Sequence, residues 1–322
     1  MFEGKSILVA GDFIADVYIF GNIGRISREA PVLILDYQSE KIVAGGAGNV
    51  ANNILSLGGK VFPVGIVGAD KNGIELRKIF TNADCSGLIE DQTHSTISKT
   101  RVIAGGRTTV SQQIVRLDRD SLDPHVDEAK ILESIEKILP QIDGIVLSDY
   151  GSGTITPAIR QRLIDFSREH GIPSIVDSRY DIGNFRGINF VKQNDSELAN
   201  FYQHELKSEE IFHRAAFKLQ RKLKADGVLI TRGEFGMTLF ESNGAIHDIP
   251  VEDFSEVFDV TGAGDTCVAA MILGLASGFS PVESARISNI AAGIAVRKLG
   301  TSTVSIVEVE NVLSRISSSK VF

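Results

Sequence analysis

The chain has 322 residues, of which 43% are hydrophobic and 23% charged, and its formal net charge is −8. This composition supplies a buried core and argues against disorder, while the acidic balance argues against a protein that binds nucleic acid by neutralising phosphates. Two cysteines far apart in sequence indicate neither a disulfide framework nor a cysteine-rich metal site. No stretch has the length of a membrane span and no signal sequence precedes the first strand, so we expect a cytoplasmic protein.

The first apolar run, residues 6–10, ends at Gly11 and Asp12, and Asp16 follows shortly after. Such a run is typical of a buried parallel strand, and open parallel sheets bind ligands at the carboxyl ends of their strands. A carboxylate at that edge can accept hydrogen bonds from two sugar hydroxyls. We therefore predict that Asp12 and Asp16 bind a sugar, with a role in a turn as the equal alternative for Asp12.

Two insertions, at about residues 13–43 and 96–118, contain alternating strands around glycine turns. This pattern predicts hairpins with one covered face, which together could form a small sheet that closes over the sugar as a lid and excludes water. Basic side chains gather in these insertions although the chain is acidic. Charged edge strands that deter aggregation explain some of them. We predict that the others hold a substrate phosphate, the candidates being Arg25, Arg28, Lys99, Arg101, Arg107 and Arg116.

A glycine-rich segment, residues 44–53, opens the first predicted helix. Gly45 and Gly46 would let the start of this helix pass beneath a sugar ring, and Asn49 offers a donor and an acceptor to its hydroxyls. Residues 46–51 also fit the glycine fingerprint of dinucleotide-binding proteins, but that fingerprint belongs directly after the first strand. A nicotinamide-dependent oxidoreductase is therefore an alternative, which a test of NAD(P)H binding would decide.

From residue 60 onward, strand-like and helix-like runs alternate, which predicts a parallel sheet wrapped by helices. Asp149 ends one of these strands at the binding edge, and we expect it to contact substrate. Asn194 and Glu197 then open a helix. Their spacing fits a capping box, and it equally fits a pair that holds Mg²⁺ through water.

The segments expected near a nucleotide come later in the chain. Thr231, Gly233 and Gly236 follow a buried strand, where they form either a tight hairpin or a surface for the nucleotide. Asn289 and Gly293 share a helix and could meet an adenine. Hydroxyls and carbonyls in residues 298–305 could surround a monovalent cation or simply end that helix.

Residues 259–266 carry the strongest functional signal, because two carboxylates bracket a Gly-Ala-Gly turn that runs into an apolar helix. Gly262 and Gly264 allow a polyanion to approach the backbone, and the free N–H groups of the first helical turn would face it. Asp265 could accept the proton of an attacking hydroxyl during phosphoryl transfer. The structural alternative is an acidic residue that merely complements the helix dipole.

These motifs together resemble the ribokinase-like (PfkB) family of carbohydrate kinases over nearly the whole chain. The resemblance implies an α/β fold of three αβα layers, with a mostly parallel central sheet and a small β lid often shared across a dimer. It implies ATP with Mg²⁺ as cofactors, and K⁺ as a further candidate. It assigns the following roles: Asp265 as catalytic base; Gly262, Ala263 and Gly264 as anion hole; Asp16 and Asn49 at the sugar; Thr231, Gly233 and Asn289 near ATP; Asp259 and Thr261 at a K⁺-like ion.

Several segments resemble more narrowly the heptose 7-phosphate kinases of ADP-heptose synthesis, namely residues 25–32, 112–118, 147–150 and 298–305. Ser178-Arg179 and Lys192-Gln193 depart from the Pro-Lys and Thr-Pro usual there, near the expected sugar and metal sites. Many such kinases also carry a nucleotidyltransferase domain. Because this chain stops at Phe322 and has no His-x-Gly-His, we expect the kinase step only.

The sequence thus predicts one kinase domain, residues 1–322, that phosphorylates a sugar phosphate with ATP. The preferred substrate is D-glycero-β-D-manno-heptose 7-phosphate, phosphorylated at its anomeric hydroxyl. The alternatives are a kinase of ribose, fructose or a fructose phosphate, and a non-catalytic sugar or nucleotide sensor on the same fold.

Overall fold

A computed structural model describes residues 1–105, 111–120, 127–251 and 257–319. Its strands are β1 (Ser6–Gly11), β2 (Phe13–Ile26), β3 (Leu33–Gly46), β4 (Lys60–Gly68), β5 (Leu88–Asp91), β6 (Ser98–Gly105), β7 (Gln112–Arg119), β8 (Gly144–Asp149), β9 (Ser174–Ser178), β10 (Phe190–Asn194), β11 (Gly227–Thr231), β12 (Met237–Glu241) and β13 (Ile246–Ile249). Its helices are α1 (Ala47–Ser56), α2 (Lys71–Ile79), α3 (Glu128–Ile138), α4 (Pro157–His170), α5 (Asp195–Tyr202), α6 (Glu209–Leu223), α7 (Ala263–Ala276), α8 (Pro281–Ala295) and α9 (Ile306–Ser319).

Nine strands form the large sheet, in the order β13-β12-β11-β10-β9-β8-β1-β4-β5. The strands from β11 to β5 in this order run parallel, and β12 and β13 are antiparallel additions at one edge. Alternate residues of β1 enter opposite cores: Ile7 and Val9 pack with α1, α7 and α8, whereas Leu8 and Ala10 pack with α3, α4 and α6. The predicted arrangement of helices on both faces of a mostly parallel sheet is confirmed.

A second sheet has four strands in the order β3-β2-β6-β7, and all of them come from the two predicted insertions. Both predicted hairpins are present, because β2 pairs with β3 and β6 with β7 in antiparallel fashion, while β2 and β6 pair in parallel. Only the first part of β2 is buried, so the expectation of one covered face holds for that part alone. The distal part exposes large apolar side chains, among them Ile26, Leu33, Tyr37 and Leu117.

Helix α7 is the interior helix that the apolar run 267–276 predicts. Every residue from Asp265 to Gly274 is buried, and the helix packs against α1 and α8 beneath β8 and β9. Its amino end therefore has a fixed position at the carboxyl edge of the large sheet. Within the described ranges, no helix combines the length and the apolar character that crossing a membrane requires.

Candidate active site

A cavity of about 390 Å³ lies where the carboxyl edge of the large sheet, the small sheet and the amino end of α7 meet. Predicted site residues from six separate segments line it: Asp16, Gly46, Lys99, Arg101, Arg116, Asp149, Asn194, Glu197, Thr261, Gly262, Gly264 and Asp265. The cavity wall also includes side chains to which the sequence assigned no role in transfer, notably Tyr150, Asp177, Arg179, Lys192 and Thr301.

Asp265 lies in the first turn of α7 and is 6% exposed. Its carboxylate accepts one hydrogen bond from Asn49 Nδ2 at 2.8 Å and another from the Tyr150 hydroxyl at 2.9 Å. Burial raises the pKa of Asp265 to about 6 and the charge of Asp177 adds to the rise, whereas the bonds from Asn49 and Tyr150 oppose it. A carboxylate with this pKa is poised to take up a proton near neutral pH.

The turn before Asp265 leaves no room for side chains. Gly262 has φ 81°, in the left-handed region, and a Cβ there would lie 2.6 Å from Asn49 Nδ2. A Cβ on Gly264 would lie 2.7 Å from Lys192 Nζ. The Ala263 N–H donates to the Val260 carbonyl at 3.3 Å. The N–H groups of Gly264 and Asp265 belong to the first helical turn and have no intrahelical partner, so they are donors that an anion in the cavity can approach.

Lys192 is the functional candidate that the sequence reasoning missed. It is 5% exposed, and its Nζ donates to Asp177 Oδ2 at 2.7 Å. Burial disfavours the ammonium, but the carboxylates of Asp177 and Glu197 outweigh it and raise the pKa of Lys192, so the side chain stays charged. The sequence feature that points to this role is the presence of a lysine within the apolar strand β10, close to the carboxyl end of the strand.

Tyr150 ends the segment 147–150, one of those that resemble heptose 7-phosphate kinases, and in the structure it contacts several groups of the cavity wall. Its hydroxyl donates to Asp265 Oδ1, and burial together with the charge of Asp265 raises the pKa of Tyr150, which keeps the hydroxyl protonated. Its ring centroid lies 5.0 Å from Lys99 Nζ and 5.5 Å from Arg179 Cζ, within the range of cation–π attraction.

The structure corrects the sugar-binding prediction for Asp12. Its carboxylate is fully buried outside the cavity wall and accepts hydrogen bonds from the backbone N–H groups of Tyr150, Ser152 and Thr154 at 2.8, 3.1 and 3.3 Å. These bonds consume its acceptor capacity and shape the loop after β8. Asp12 therefore positions Tyr150, and the alternative of a role in a turn is the better description.

Asn49 bonds to two residues of the cavity wall. It is 1% exposed, its amide nitrogen donates to Asp265 Oδ2 and, at 3.4 Å, to the Gly262 carbonyl, and its amide oxygen accepts from Asn53. Both ends of the amide thus have partners within the chain, and direct contact with sugar hydroxyls stays a prediction. Asn49 fixes the orientation of the Asp265 carboxylate.

Asp16 and Asp149 line the cavity as predicted. Asp16 accepts from Arg101 Nη1 at 2.6 Å and from Thr301 Oγ1 at 2.8 Å, and a Cβ on Gly45 would lie 2.4 Å from Asp16 Oδ2. Gly45 is thus required by the Asp16 carboxylate rather than by a sugar ring. Asp149 accepts from the Gly151 N–H and the Ser178 hydroxyl, and burial raises its pKa.

The basic candidates divide into two groups. Lys99, Arg101 and Arg116 line the cavity, and two of them form ion pairs, Arg101 with Asp16 and Arg116 with Asp118. Arg25 and Arg28 are exposed near the far end of the small sheet and do not line the cavity, so a contact of Arg25 with a substrate phosphate stays a prediction. Arg107 lies outside the described residues.

Asn194 and Glu197 form the predicted capping box, with the Glu197 N–H bonded to Asn194 Oδ1 at 2.7 Å and the Asn194 N–H bonded to Glu197 Oε2 at 2.8 Å. Burial raises the pKa of Glu197, a cost that a nearby cation would reduce. Among the described residues, no group of three or more His, Cys, Asp or Glu is arranged to hold a metal ion. These residues fit Mg²⁺ held through water and phosphate oxygens, which is the predicted mode.

Asp259 links the turn before α7 to the loop after α8. Its Oδ1 accepts from the N–H and the hydroxyl of Thr261 at 2.9 and 2.6 Å, and its Oδ2 accepts from the Gly300 N–H at 3.0 Å. Although burial opposes the ionised form, these bonds lower the pKa of Asp259. They account for its position without a cation, so the monovalent-ion site stays a prediction.

The nucleotide candidates lie beside the cavity rather than in its wall. Thr231 ends β11, and the segment with Gly233 and Gly236 forms the tight antiparallel connection to β12, as the structural alternative predicts. Asn289 donates to the Pro250 carbonyl at 2.7 Å, whereas the space beside Gly293 is open, since no atom of the described residues lies within 4 Å of the position that a Cβ would take. Their contacts with ATP stay predictions.

The fold and this cavity define a class of protein: a small-molecule phosphotransferase in which a buried carboxylate and the amino end of an interior helix face a lined acceptor pocket. The sequence profile of the pfkB family carbohydrate kinases matches residues 5–308. The chain therefore belongs to the pfkB family of carbohydrate kinases.

Curated relatives are similar over most of this chain. The bifunctional protein HldE of Geotalea uraniireducens is 43% identical over 303 residues, which cover 92% of this chain and 61% of the relative. The bifunctional protein HldE of Pasteurella multocida is 38% identical over 315 residues, which cover 97% of this chain and 64% of the relative. The chain thus spans less than two thirds of the length of these relatives.

Solved structures share the fold. Arabidopsis thaliana ribokinase complexed with ribose and ATP superposes with a TM-score of 0.73 at 19% identity, covering 97% of this chain and 98% of the other. Escherichia coli phosphofructokinase-2 in complex with fructose-6-phosphate gives a TM-score of 0.74 at 20% identity, covering 98% and 99%. The predicted ribokinase-like αβα fold with a second, small sheet is confirmed.

Proposed function

We propose that this protein transfers the γ-phosphoryl group of Mg²⁺-bound ATP to a hydroxyl of a sugar phosphate. The observation that carries this proposal is the placement of Asp265, which has a pKa of about 6 and lies between the first-turn amides of α7 and a cavity lined with cations. Family membership supports the carbohydrate acceptor and ATP.

In the proposed mechanism, Asp265 orients the acceptor hydroxyl and takes its proton as the phosphoryl group moves. The amides at Gly262, Ala263 and Gly264 would stabilise the charge on the transferring group, and the Lys192 ammonium would add a positive charge at the same end of the cavity. Asn49 holds Asp265 in place. Asn194 and Glu197 would keep hydrated Mg²⁺ near the phosphates, where it neutralises their charge.

The substrate that we propose is D-glycero-β-D-manno-heptose 7-phosphate, phosphorylated at its anomeric hydroxyl. Two observations support a phosphorylated sugar: the resemblance of several segments to heptose 7-phosphate kinases, and five cationic side chains in the cavity wall, namely Lys99, Arg101, Arg116, Arg179 and Lys192. Ribose, fructose and fructose phosphates are the alternative acceptors. A non-catalytic sensor would not require the buried carboxylate to be poised at the helix start.

A phosphorylation screen tests this proposal. We expect ATP-dependent turnover with heptose 7-phosphate and a kcat/KM at least tenfold lower with ribose, fructose and fructose 6-phosphate. If an unphosphorylated sugar is turned over with the same kcat/KM as heptose 7-phosphate, the substrate proposal is contradicted, while the proposal of a sugar kinase stands. ATP binding without turnover of any sugar in the panel would favour the sensor.

We further propose that a second copy of the chain covers the small sheet. The distal part of this sheet exposes Ile26, Tyr37 and Leu117 by 66, 65 and 61%, a concentration of apolar surface that is typical of an interaction site. Sedimentation equilibrium should show a homodimer, and Leu117→Lys should shift it to monomer. A wild-type protein that stays monomeric at micromolar concentration would contradict this.

A further inference from the structure

The charge distribution around Tyr150 leads to a more specific assignment, which rests on the proposed kinase function. Of the five cations in the cavity wall, three form ion pairs with carboxylates: Lys192 with Asp177, Arg101 with Asp16, and Arg116 with Asp118. Lys99 and Arg179 form no ion pair with any carboxylate that the structure describes. Within the described part of the wall, they are the two cations available to a ligand.

Lys99 and Arg179 reach the same cavity from different parts of the fold. Lys99 lies on β6 of the small sheet, and Arg179 follows β9 of the large sheet, yet both lie within 5.5 Å of the Tyr150 ring centroid. Burial and the charge of Arg179 lower the pKa of Lys99. The two positive charges of this wall thus repel each other, and a dianion that both side chains contact would reduce that repulsion.

Tyr150 sets the direction of this site relative to the base. Its hydroxyl end contacts Asp265, and its ring carries the two free cations. A ligand lying along the Tyr150 side chain would therefore place one end at the base and the other at the cations. This matches a sugar that presents a hydroxyl at one end and a phosphate at the other.

We propose that Lys99 and Arg179 form the subsite for the phosphate already present on the sugar substrate. This subsite keeps Lys99 from the predicted phosphate-binding candidates and adds Arg179. Arg25 does not line the cavity, and Arg101 is paired with Asp16. The Arg179 guanidinium offers a planar fork of donors to a phosphate, and the Lys99 ammonium offers a compact charge.

Arg179 also borders a second cavity of about 680 Å³, which shares Asn194 and Glu197 with the first. A nucleotide phosphate is therefore the competing partner for this side chain. The experiment must separate the two, so binding is measured with the nucleotide site saturated by Mg²⁺ and a non-hydrolysable ATP analogue.

The probe is inorganic phosphate, titrated calorimetrically into the protein with its analogue bound. We expect Lys99→Met and Arg179→Met each to raise the Kd for phosphate about 10- to 100-fold, the loss expected for one charge-assisted hydrogen bond. Lys99→Arg should keep the Kd within a few-fold. Lys218→Met is the matched control, because Lys218 lies 4.9 Å from the Tyr202 ring in an equivalent contact and lines neither cavity.

Kinetics complete the test. Lys99→Met and Arg179→Met should raise the KM for a sugar phosphate far more than the KM for its unphosphorylated counterpart, with the KM for ATP unchanged. No measurable phosphate binding to the wild type, unchanged binding by both variants, or an effect of Arg179→Met confined to ATP would overturn the subsite. If phosphate binding follows Lys99 and Arg179 but no sugar is turned over, the kinase proposal fails while the anion site stands.

Discussion

The Tyr150 hydroxyl donates a hydrogen bond to Asp265 Oδ1 at 2.9 Å, so the proposed base is bonded to a side-chain hydroxyl of the cavity wall. Asn49 holds the other carboxylate oxygen at 2.8 Å. The base therefore has a defined orientation before substrate arrives, and the strength of its two hydrogen bonds affects the pH at which it can work.

Tyr150→Phe should shift the pH dependence of kcat. The bond from Tyr150 lowers the pKa of Asp265, so its loss raises that pKa further above its ordinary value. Because the base must be ionised, activity appears as pH rises through this pKa, and the acidic limb of the profile should move to higher pH. We expect a several-fold loss of kcat at about pH 6 and little change at about pH 8.

Tyr180→Phe is the control for this profile, because Tyr180 is 75% exposed in a neighbouring loop. An acidic limb at the same pH in wild type and Tyr150→Phe would show that Tyr150 does not tune the base. The charges of Asp177 and Lys192 also affect the pKa of Asp265, and Tyr150→Phe leaves both of these residues unchanged.

Asp265→Asn should lower activity and raise stability at the same time. Loss of the base should reduce kcat by roughly 10²- to 10⁴-fold with little change in the KM for ATP. The folded pKa of about 6 lies above the ordinary value of 3.8, so the ionised carboxylate costs stability as pH rises from about 4 to 6. Asn removes that cost, which is on the order of 2–3 kcal/mol above pH 6.

Chemical denaturation of wild type and Asp265→Asn at about pH 4 and pH 7.5 measures this difference. The variant should gain stability relative to wild type only at the higher pH. Wild-type turnover in Asp265→Asn would remove Asp265 from the mechanism, and an equal stability difference at both pH values would show that its pKa is ordinary.

Lys192→Met should lower both the stability of the fold and the rate of phosphoryl transfer. It leaves Asp177 without its buried cation, which costs roughly 3–5 kcal/mol of unfolding free energy. A double variant, Lys192→Met with Asp177→Asn, also removes the unpaired negative charge of Asp177 and should recover part of that stability. If Lys192 stabilises the transferring phosphoryl group, kcat stays at least about 10²-fold low in the double variant. Recovery of kcat together with stability would limit Lys192 to a structural role.

Gly45→Ala should act on sugar binding through Asp16. The added methyl group would lie 2.4 Å from Asp16 Oδ2, too close for the carboxylate to keep its bonds to Arg101 and Thr301. We expect a rise of about tenfold or more in the KM for sugar, with the KM for ATP unchanged. Gly293→Ala is the comparison, because its methyl group enters open space on the predicted adenine side. Equal effects of both variants on the sugar would contradict a role for Asp16 there.

Much of the fold follows from local patterns. The strands and helices alternate from residue 60 onward as predicted, and the capping box at Asn194 and Glu197 has the predicted bonds. Both depend on residues within a few positions of each other. The Gly-Ala-Gly turn before Asp265 could likewise be recognised because its glycines, its carboxylate and the apolar helix are contiguous in the chain.

The roles of individual side chains were harder to predict. Asp12 and Asn49 have residue types that suit a sugar, but their hydrogen-bonding groups are taken by the loop after β8 and by Asp265. Nothing within either local segment shows this, because the partners are 138 and 216 positions away. Lys99 and Arg179 likewise become one site only through the packing of two sheets.

By itself the sequence determined the layered α/β fold, the two hairpins of the small sheet and the position of the helix start that carries Asp265. These properties arise from periodicity and from backbone requirements that neighbouring residues satisfy. Only the tertiary structure decided which polar side chains are free to meet a ligand. Hydrogen bonds and ion pairs form between atoms that the fold brings within about 3 Å, and a side chain already satisfied by such a partner has lost the capacity that its residue type alone suggests.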